Sequence, residues 1–172
     1  LRYNPNGTLD TTFDGNGKVT TTISTSWEYG QAIAIQADGK IVVAGQTKGS
    51  TTKGDIVVVR YNTNGSPDAT FDDDGQVTTD FNSDTDQAYA VKVQPDGKIV
   101  VAGTTQLSGG TPDFALVRYN ANGSLDSTFG ASGKVTTPIG SSYDYASALA
   151  LQPDGKLVVA GQSKNASNFD VA

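Results

Sequence analysis

Three consecutive carboxylates form the most obvious candidate metal site in the chain. Asp72, Asp73 and Asp74 precede a glycine in the segment FDDDGQ. Clustered carboxylates can bind Ca²⁺ through their oxygen atoms. However, the spacing does not match an EF-hand loop, and the distal Glu of that loop is missing. The sequence therefore favours a solvated turn, with a Ca²⁺ site as the alternative, and it predicts no other cofactor.

The residue composition removes most of the common catalytic chemistry. The chain has 172 residues and contains no His, Cys or Met. Without His and Cys, the usual zinc sites and the Ser-His-Asp and Cys-His catalytic arrangements are excluded. An enzyme would have to use pairs of Asp or Glu as acid and base, and we expect no such pair to recur at a fixed spacing. The sequence therefore predicts a protein that is not an enzyme.

Aromatic side chains beside carboxylates form a candidate binding surface. They lie in three segments of differing sequence, STSWEYG, NSDTDQ and GSSYDYAS. Exposed aromatic rings beside carboxylates suit sugar rings or a protein partner. The alternative is that these segments are loops that vary because nothing constrains them. The candidate binding residues are Trp27, Glu28, Tyr29, Asp84, Asp86, Tyr143, Asp144 and Tyr145.

An Arg-Tyr-Asn sequence occurs three times and could also bind a ligand. The Arg residues are Arg2, Arg60 and Arg118, and the Phe residues that recur with them are Phe13, Phe71 and Phe129. A ring of Arg side chains could bind an anion. We favour instead an ion pair between each Arg and an Asp of the following loop, which would lock neighbouring units together. The expected partners are Asp10, Asp68 and Asp126.

These candidates are positioned by a repeat of 58 residues that fills the chain. The segment QADGKIVVAG begins at Gln36, QPDGKIVVAG begins at Gln94, and QPDGKLVVAG begins at Gln152. The spacing never changes, which indicates three copies of one supersecondary unit.

Each unit predicts four strands, which we label A to D. In the first unit, strand A is GKVTTTI from Gly17, and strand B is QAIAIQ from Gln31, with alternating hydrophobicity. Strand C is KIVVAG, a continuous apolar run typical of a buried strand. Strand D is DIVVVRYN from Asp55. The Asp-Gly pairs between strands B and C predict tight hairpins with a primed turn. No segment has a helical period.

Repeated four-stranded antiparallel units predict an all-β fold, a β-propeller in which each 58-residue repeat is a blade. A solenoid or a tandem array of flat sheets is the alternative. We expect residues 1–172 to form a single propeller or part of one. The expected blades span roughly residues 17–62, 75–120 and 133–172, the last completed by residues 1–4.

The number of units predicts that further blades are needed. Closed propellers have roughly four to eight blades, so three are too few. The segments LRYN at the start and NFDVA at the end both resemble parts of strand D. We therefore expect either an excerpt of a longer array or two copies that together form a six-bladed ring. An unpaired strand edge would otherwise promote aggregation.

Sequence variation among the units predicts which face of the disc binds. In an up-and-down blade, the A–B and C–D loops emerge on one face, and the B–C and D–A loops emerge on the other. The B–C and D–A segments are nearly identical among the units, whereas the A–B and C–D segments differ. Binding is therefore predicted on the face of the A–B and C–D loops, which we name the variable-loop face.

The segments VRYNANGSLDSTFGASGKVTT from Val117 and ASALALQPDGKLVVAG from Ala146 resemble the delta-60 repeat, a bacterial β-propeller repeat. The similarity covers essentially the whole chain, with Ala37 standing where the other units have Pro95 and Pro153. Members of that family are typically large secreted or surface proteins with no assigned activity. The resemblance thus implies a bacterial protein that is secreted or at the cell surface, and it carries no catalytic residue across.

Net charge and hydropathy narrow the expected function further. The chain has 12 basic and 18 acidic residues, so no binding to nucleic acid is expected, and it has no transmembrane run. We expect a non-enzymatic secreted or cell-surface module for binding, adhesion or assembly, whose partners are copies of itself, a glycan or a surface protein. The alternatives are a structural subunit of an extracellular assembly, joined through the split strand D, and an enzyme acting on polysaccharide.

Overall fold

A computed structural model of the chain describes residues 1–25, 27–48, 54–81, 85–106, 110–165 and 167–172. All regular secondary structure in these ranges is β-strand. No helix of the described part is long and apolar enough to cross a membrane. The expected all-β, antiparallel architecture is therefore confirmed.

The strands form three antiparallel sheets. The first sheet has the order β1 (Trp27–Ile35), β2 (Ile41–Lys48), β3 (Gly54–Tyr61) and β4 (Gln76–Thr79). The second has the order β5 (Asp86–Val93), β6 (Ile99–Gln106), β7 (Pro112–Tyr119) and β8 (Lys134–Thr137). The third contains β9 (Asp144–Leu151), β10 (Leu157–Lys164) and β11 (Phe169–Val171), with β10 in the centre.

Each four-stranded sheet crosses the boundary between two sequence units. Strand A does not pair with strands of its own unit, as was expected, but with strand D of the unit before it: β3 pairs with β4, and β7 with β8. The loop between strands D and A folds back on the end of strand D through the Tyr61–Pro67 bridge. Strand A therefore lies beside the strand D that precedes it. The predicted strand A at Gly17 is not formed. Residues 18–23 lie outside the strands, and residues 1–3 before them contribute only the Tyr3–Leu9 bridge.

The turns between strands B and C differ in type from the predicted primed turns. In the first of them, only Gly39 has a positive φ, of 84°, and its N–H donates to the Gln36 carbonyl at 2.9 Å. This is a type I turn followed by a left-handed glycine, which also closes hairpins. Position two of a type I turn favours Pro, which explains Pro95 and Pro153 in the other two turns.

Strand B is longer than predicted and contains a bulge. It begins at Trp27 rather than at Gln31, because Trp27 to Gly30 continue the ladder with β2. Gln31 is then skipped in the register, as Tyr89 is in β5. Such a bulge bends the strand and re-aims its side chains. The bulge brings the strand B backbone against strand C at the last residue of the run VVAG. That residue is glycine because a side chain there would clash with the backbone of strand B.

The core lies between neighbouring sheets, where one face of a sheet packs against the opposite face of the next sheet. One face of the first sheet, with Val42 and Ile56, packs on the opposite face of the second sheet, with Val91 and Val101. The same arrangement joins the second sheet to the third. As predicted, strand C is buried on both faces in the second unit, as β6, whereas in the first unit, as β2, it is fully buried mainly on the face of Val42 and Ala44. In β10 it is not, since Val158 is 47% exposed, and the sheets form an open arc rather than a closed ring.

Candidate functional site

The candidate aromatic residues lie at the ends of strands rather than in loops. Trp27 and Tyr29 belong to the start of β1, Tyr143 immediately precedes β9, and Tyr145 lies within it. Asp86 and Asp144 are the first residues of β5 and β9. Asp84 lies outside the described residues. The strand register therefore fixes these side chains, whereas the sequence predicted them in the variable A–B loops.

Two pairs of aromatic rings form where these strands begin. The rings of Trp27 and Tyr29 are 6.4 Å apart between centroids and inclined at 33°, and those of Tyr143 and Tyr145 are 6.3 Å apart and nearly parallel at 8°. Trp27 is 62% exposed. A cavity of about 450 Å³ lies beside Trp27 and Tyr29 and extends to Gln87 of the next sheet. This is the size of a small-ligand site.

The neighbours of the aromatic rings on strand C were missed by the sequence analysis. Gln46 lies opposite Tyr29, and Lys48 lies opposite Trp27, so the four side chains share one face of the sheet. We name these four residues the unit-1 platform. The signal was present in the sequence, because residues of the same types recur two repeats later. That second set, the unit-3 platform, is Tyr143, Tyr145, Gln162 and Lys164.

The carboxylates next to the aromatic rings face away from them and cap the A–B loops. Asp86 is fully buried and accepts the Phe81 N–H at 2.7 Å, and Asp144 likewise accepts the Ile139 N–H at 2.7 Å. Glu28 accepts two N–H groups of the loop before β1 in the same way. Since successive strand residues point to opposite faces, an acid between two aromatic residues anchors the loop and leaves both rings on the other side.

The capping carboxylates occupy one repeat position, which corrects the expectation that no carboxylate pair recurs. Glu28, Asp86 and Asp144 are 58 residues apart. Asp86 and Asp144 each interact with an Asp of strand D in the preceding sheet, Asp55 and Asp113 respectively. Two pairs of like charges, which repel each other, thus lie at the junctions of neighbouring sheets. The repeat position is hard to see in the sequence, because the first unit has Glu where the other two have Asp.

The two buried capping Asp residues differ in their affinity for protons. Burial raises the pKa of Asp86 to about 6, and the nearby charges of Asp80 and Asp55 add to this, against hydrogen bonds from Thr105 and Phe81. For Asp144 burial is outweighed by hydrogen bonds, so its pKa is lowered. One difference between the two junctions is that Pro138 stands where the other has Asp80, whose charge adds to the raised pKa of Asp86.

Among the described residues, the carboxylates that cluster as a possible metal site are not those of the segment FDDDGQ. One oxygen from each of Asp55, Asp80 and Asp86 lies within 4.8 Å of the other two, a set that could hold a cation through oxygen ligands. In contrast, Asp72, Asp73 and Asp74 are exposed. The first two have positive φ values of 49° and 63°, and the third accepts the N–H of Gln76. These contacts are those of a tight turn.

The Arg residues form structural clusters on the other face. Arg60 Nε donates to Asp68 Oδ2 at 2.6 Å, and its guanidinium lies 4.7 Å from the centre of the Phe71 ring. Nη1 of the same Arg donates to the Ala121 carbonyl at 2.6 Å, which joins one unit to the next. Each Arg contacts the Asp that the sequence pairs it with, and the equivalent clusters are Arg2, Asp10 and Phe13, and Arg118, Asp126 and Phe129.

Comparison with known proteins identifies the scaffold. A family model described as "Domain of unknown function (DUF5122) beta-propeller" matches residues 1–13, 36–71, 94–129 and 152–172, more than half of the chain. These segments contain strands C and D and the D–A loops, with the Arg clusters. The aromatic pairs lie outside them. No curated protein matches the chain. The predicted propeller of repeated units is thus confirmed at the level of the repeat family.

Proposed function

Since the chain belongs to this DUF5122 β-propeller family, we propose that it is a non-enzymatic propeller module that binds a ligand through its variable-loop face. The exposure of Trp27 and Tyr29, 62% and 44%, beside a cavity of about 450 Å³ carries the proposal. Large aromatic side chains contribute much of the binding energy where they are desolvated by a partner. Their display on a rigid strand, rather than on a loop, lowers the entropy that binding must overcome.

A non-enzymatic role fits the engagement of the acidic residues. Asp86 and Asp144 are wholly buried and are hydrogen-bonded to backbone N–H groups. A polysaccharide-acting enzyme would need one carboxyl as a proton donor and a second as base or nucleophile, both open to substrate. Buried loop caps do not offer that access. We therefore prefer binding over catalysis for this face.

We further propose that the protein acts outside the cell, in a bacterium, as a delta-60 type repeat protein. The RYN-NGSLDSTF and QPDGKLVVAG segments support this assignment. A surface rich in Thr, Ser, Asn and Gln, with only 17% charged residues, is in keeping with it.

Alanine variants on the variable-loop face test the proposal. Trp27→Ala, Tyr143→Ala and Tyr145→Ala should each weaken binding in a glycan array and in a self-association assay, by on the order of 2 kcal/mol for a dominant residue. Asp38→Ala, in a B–C turn of the opposite face, serves as control. If all three variants bind as the parent does, with unchanged unfolding midpoints, the variable-loop face is inert.

A second candidate function, assembly into larger propellers, is favoured by the outward faces of the end sheets. Ile33 is 66% exposed, whereas Val91 and Leu149, at the same repeat position, are 4% and 6% exposed. On the opposite face, Val158 is 47% exposed, whereas Val42 and Val100 are fully buried. The two exposed faces match the two sides of the interface within the chain, so they can bind each other between copies. The mass of the chain in solution tests this.

A further inference from the structure

The unit-1 and unit-3 platforms repeat one constellation of four residue types. In order along the chain, each has two aromatic residues two positions apart, then Gln and Lys two positions apart on the next strand. The register places Tyr145 opposite Gln162, as it places Tyr29 opposite Gln46. The middle unit lacks the constellation: the same positions hold Thr85, Gln87, Thr104 and Gln106.

The platforms combine an apolar surface with hydrogen-bonding groups. Two ring faces side by side, with centroids 6.4 Å or 6.3 Å apart, offer a surface longer than one side chain. A pyranose ring has an apolar C–H face that can lie on an aromatic ring, and its hydroxyls need polar partners at the edge. Gln46 and Gln87 line the same cavity as Trp27 and Tyr29. These are the components of a sugar-binding surface.

The lysines of the two platforms add a positive charge that forms no ion pair among the described residues, although Lys164 Nζ lies 5.4 Å from the ring centre of Tyr143 and 5.6 Å from that of Phe169. Lys40 and Lys98 form ion pairs with Asp68 and Asp126, at 2.9 Å and 2.8 Å. Among the described residues, no carboxylate lies within ion-pair distance of Lys48 or Lys164. Within that described part of the chain, no carboxylate lines the cavity beside Lys48 either. In this acidic chain, such a site favours an anionic group on the ligand.

We infer that the two platforms are equivalent binding sites for an acidic oligosaccharide, a chain of pyranose rings that bear carboxylates. The rings of the ligand stack on the aromatic pair, the Gln amide hydrogen-bonds to hydroxyls, and the Lys ammonium pairs with a carboxylate. Glu28 and Asp144 keep their charge on the far side of the strand, where they cap loops. This inference rests on the proposed binding function and adds the ligand class and the number of sites.

Calorimetric titration of the full chain with hexagalacturonate, and with its neutral methyl ester, tests the inference. We expect two sites per chain for hexagalacturonate. Trp27→Ala with Tyr29→Ala should remove one site, Tyr143→Ala with Tyr145→Ala the other, and all four changes should abolish binding. Lys48→Gln with Lys164→Gln gives both platforms the uncharged residue type that the middle unit has at Gln106. This double variant should weaken the binding of hexagalacturonate about tenfold, without affecting the binding of the ester. Gln106→Ala, at the position in the middle unit that Lys48 and Lys164 hold in the other two and outside the cavity beside Trp27, should preserve both sites.

Two results would overturn the inference. One is binding of hexagalacturonate that survives the loss of all four aromatic side chains. The other is no binding, or equal binding of acid and ester with no effect of the Lys variants. If hexagalacturonate fails while another glycan or a second copy of the chain binds in an aromatic-dependent way, the ligand class is wrong and the binding function stands. Unfolding midpoints, expected to be unchanged for these exposed and half-buried residues, separate loss of binding from loss of folding.

Discussion

At the scale of single residues, burial decides which charges hold the fold together. The ion pair of Arg60 and Asp68 has both side chains 4% exposed, whereas in the equivalent pair Arg2 and Asp10 are 33% and 21% exposed. Burial alone would raise the pKa of Asp68, but hydrogen bonds from Lys40 and Thr70 and the charge of Arg60 hold it well below its usual range. The same residue types at one repeat position therefore make different contributions to stability.

Removing one partner of the buried pair should be far more costly than removing the exposed equivalent. Arg60→Met leaves the buried Asp68 carboxylate with Lys40 as its remaining ion-pair partner among the described residues and should lower the free energy of unfolding by about 3 kcal/mol, the low end for breaking a buried pair. Arg2→Met, the matched control, should lower it by about 1 kcal/mol or less. Urea unfolding followed by circular dichroism measures both. Equal effects would show that the Arg60 cluster is not a buried anchor.

Asp86 should make the protein more stable in mild acid. Its folded pKa of about 6 lies above the ordinary value of 3.8. The stability gained by protonation is therefore fully present below pH 3.8 and is lost as the pH rises through 6. Between pH 7 and pH 4 the free energy of unfolding should rise by roughly 2 kcal/mol, and Asp55, whose pKa burial also raises, acts in the same direction.

Asp86→Asn separates this effect from other titrations. The variant should flatten the rise in stability between pH 7 and pH 4, as measured by urea midpoints. Far below pH 4 the sign reverses, since Asp68 and Asp126 have lowered pKa values and stabilise only while ionised. A parent protein whose stability falls steadily from pH 7 to pH 4 would contradict the assignment.

At the scale of the strand, the bulge in strand B and the glycine of strand C form one device. In the middle unit, a Cβ added at Gly103 would lie 1.8 Å from the carbonyl oxygen of Gln87, and at Gly45 it would meet the Tyr29 carbonyl at the same distance. No side-chain movement relieves a clash with backbone. The bulge, and with it the position of the aromatic pairs, therefore requires glycine at this point of strand C.

Gly103→Ala should disrupt the middle sheet. We expect a loss of on the order of 3–5 kcal/mol in the free energy of unfolding, because the backbone of β5 or β6 must move. Gly7→Ala is the control: Gly7 has a φ of 85° but no atom within 4 Å of an added Cβ, so only backbone strain of about 1–2 kcal/mol applies. Thermal unfolding of both variants makes the comparison, and similar losses would refute the role of the close contact.

The strands were predictable from the sequence, but their grouping and several site contacts were not. Alternating residues and Asp-Gly turns locate strands B, C and D, since these are local signals. The pairing of strand A with the preceding unit depends on the D–A loop closing back on Tyr61, which no local pattern encodes. The face of the strand on which the Glu28 side chain lies depends on strand B beginning at Trp27. In addition, nothing in the sequence distinguishes an acidic residue that caps a loop from one that is exposed to solvent.

At the scale of the whole molecule, every junction between sheets joins unlike faces. The face that carries Val42 and Ile56 always meets the face that carries the equivalents of Val91 and Val101. An interface between unlike surfaces can continue indefinitely or close into a ring, depending on the rotation per step. The exposed apolar residues of the outer faces therefore favour contact with another copy or another blade.

A charge placed on either outer face should prevent self-association. We expect the parent chain to sediment as a multiple of 17.8 kDa, and Ile33→Glu or Val158→Glu to sediment as a single chain, because each buries a carboxylate in the contact. Ala69→Glu is the control, since Ala69 is exposed in the D–A loop, as are its repeat equivalents Thr11 and Ser127. A parent chain that is monomeric at all concentrations would refute the assembly.

The pairing of strand A with the sheet of the preceding unit has a consequence for how the number of blades can change in evolution. Because β4 and β8 complete sheets begun by the unit before them, the blade has no fixed starting residue in the gene. Recombination that inserts or removes any window of 58 residues, wherever it is cut, leaves every sheet that is followed by another unit with strands B, C, D and A. Blade number can therefore change by gene duplication without any new interface having to evolve.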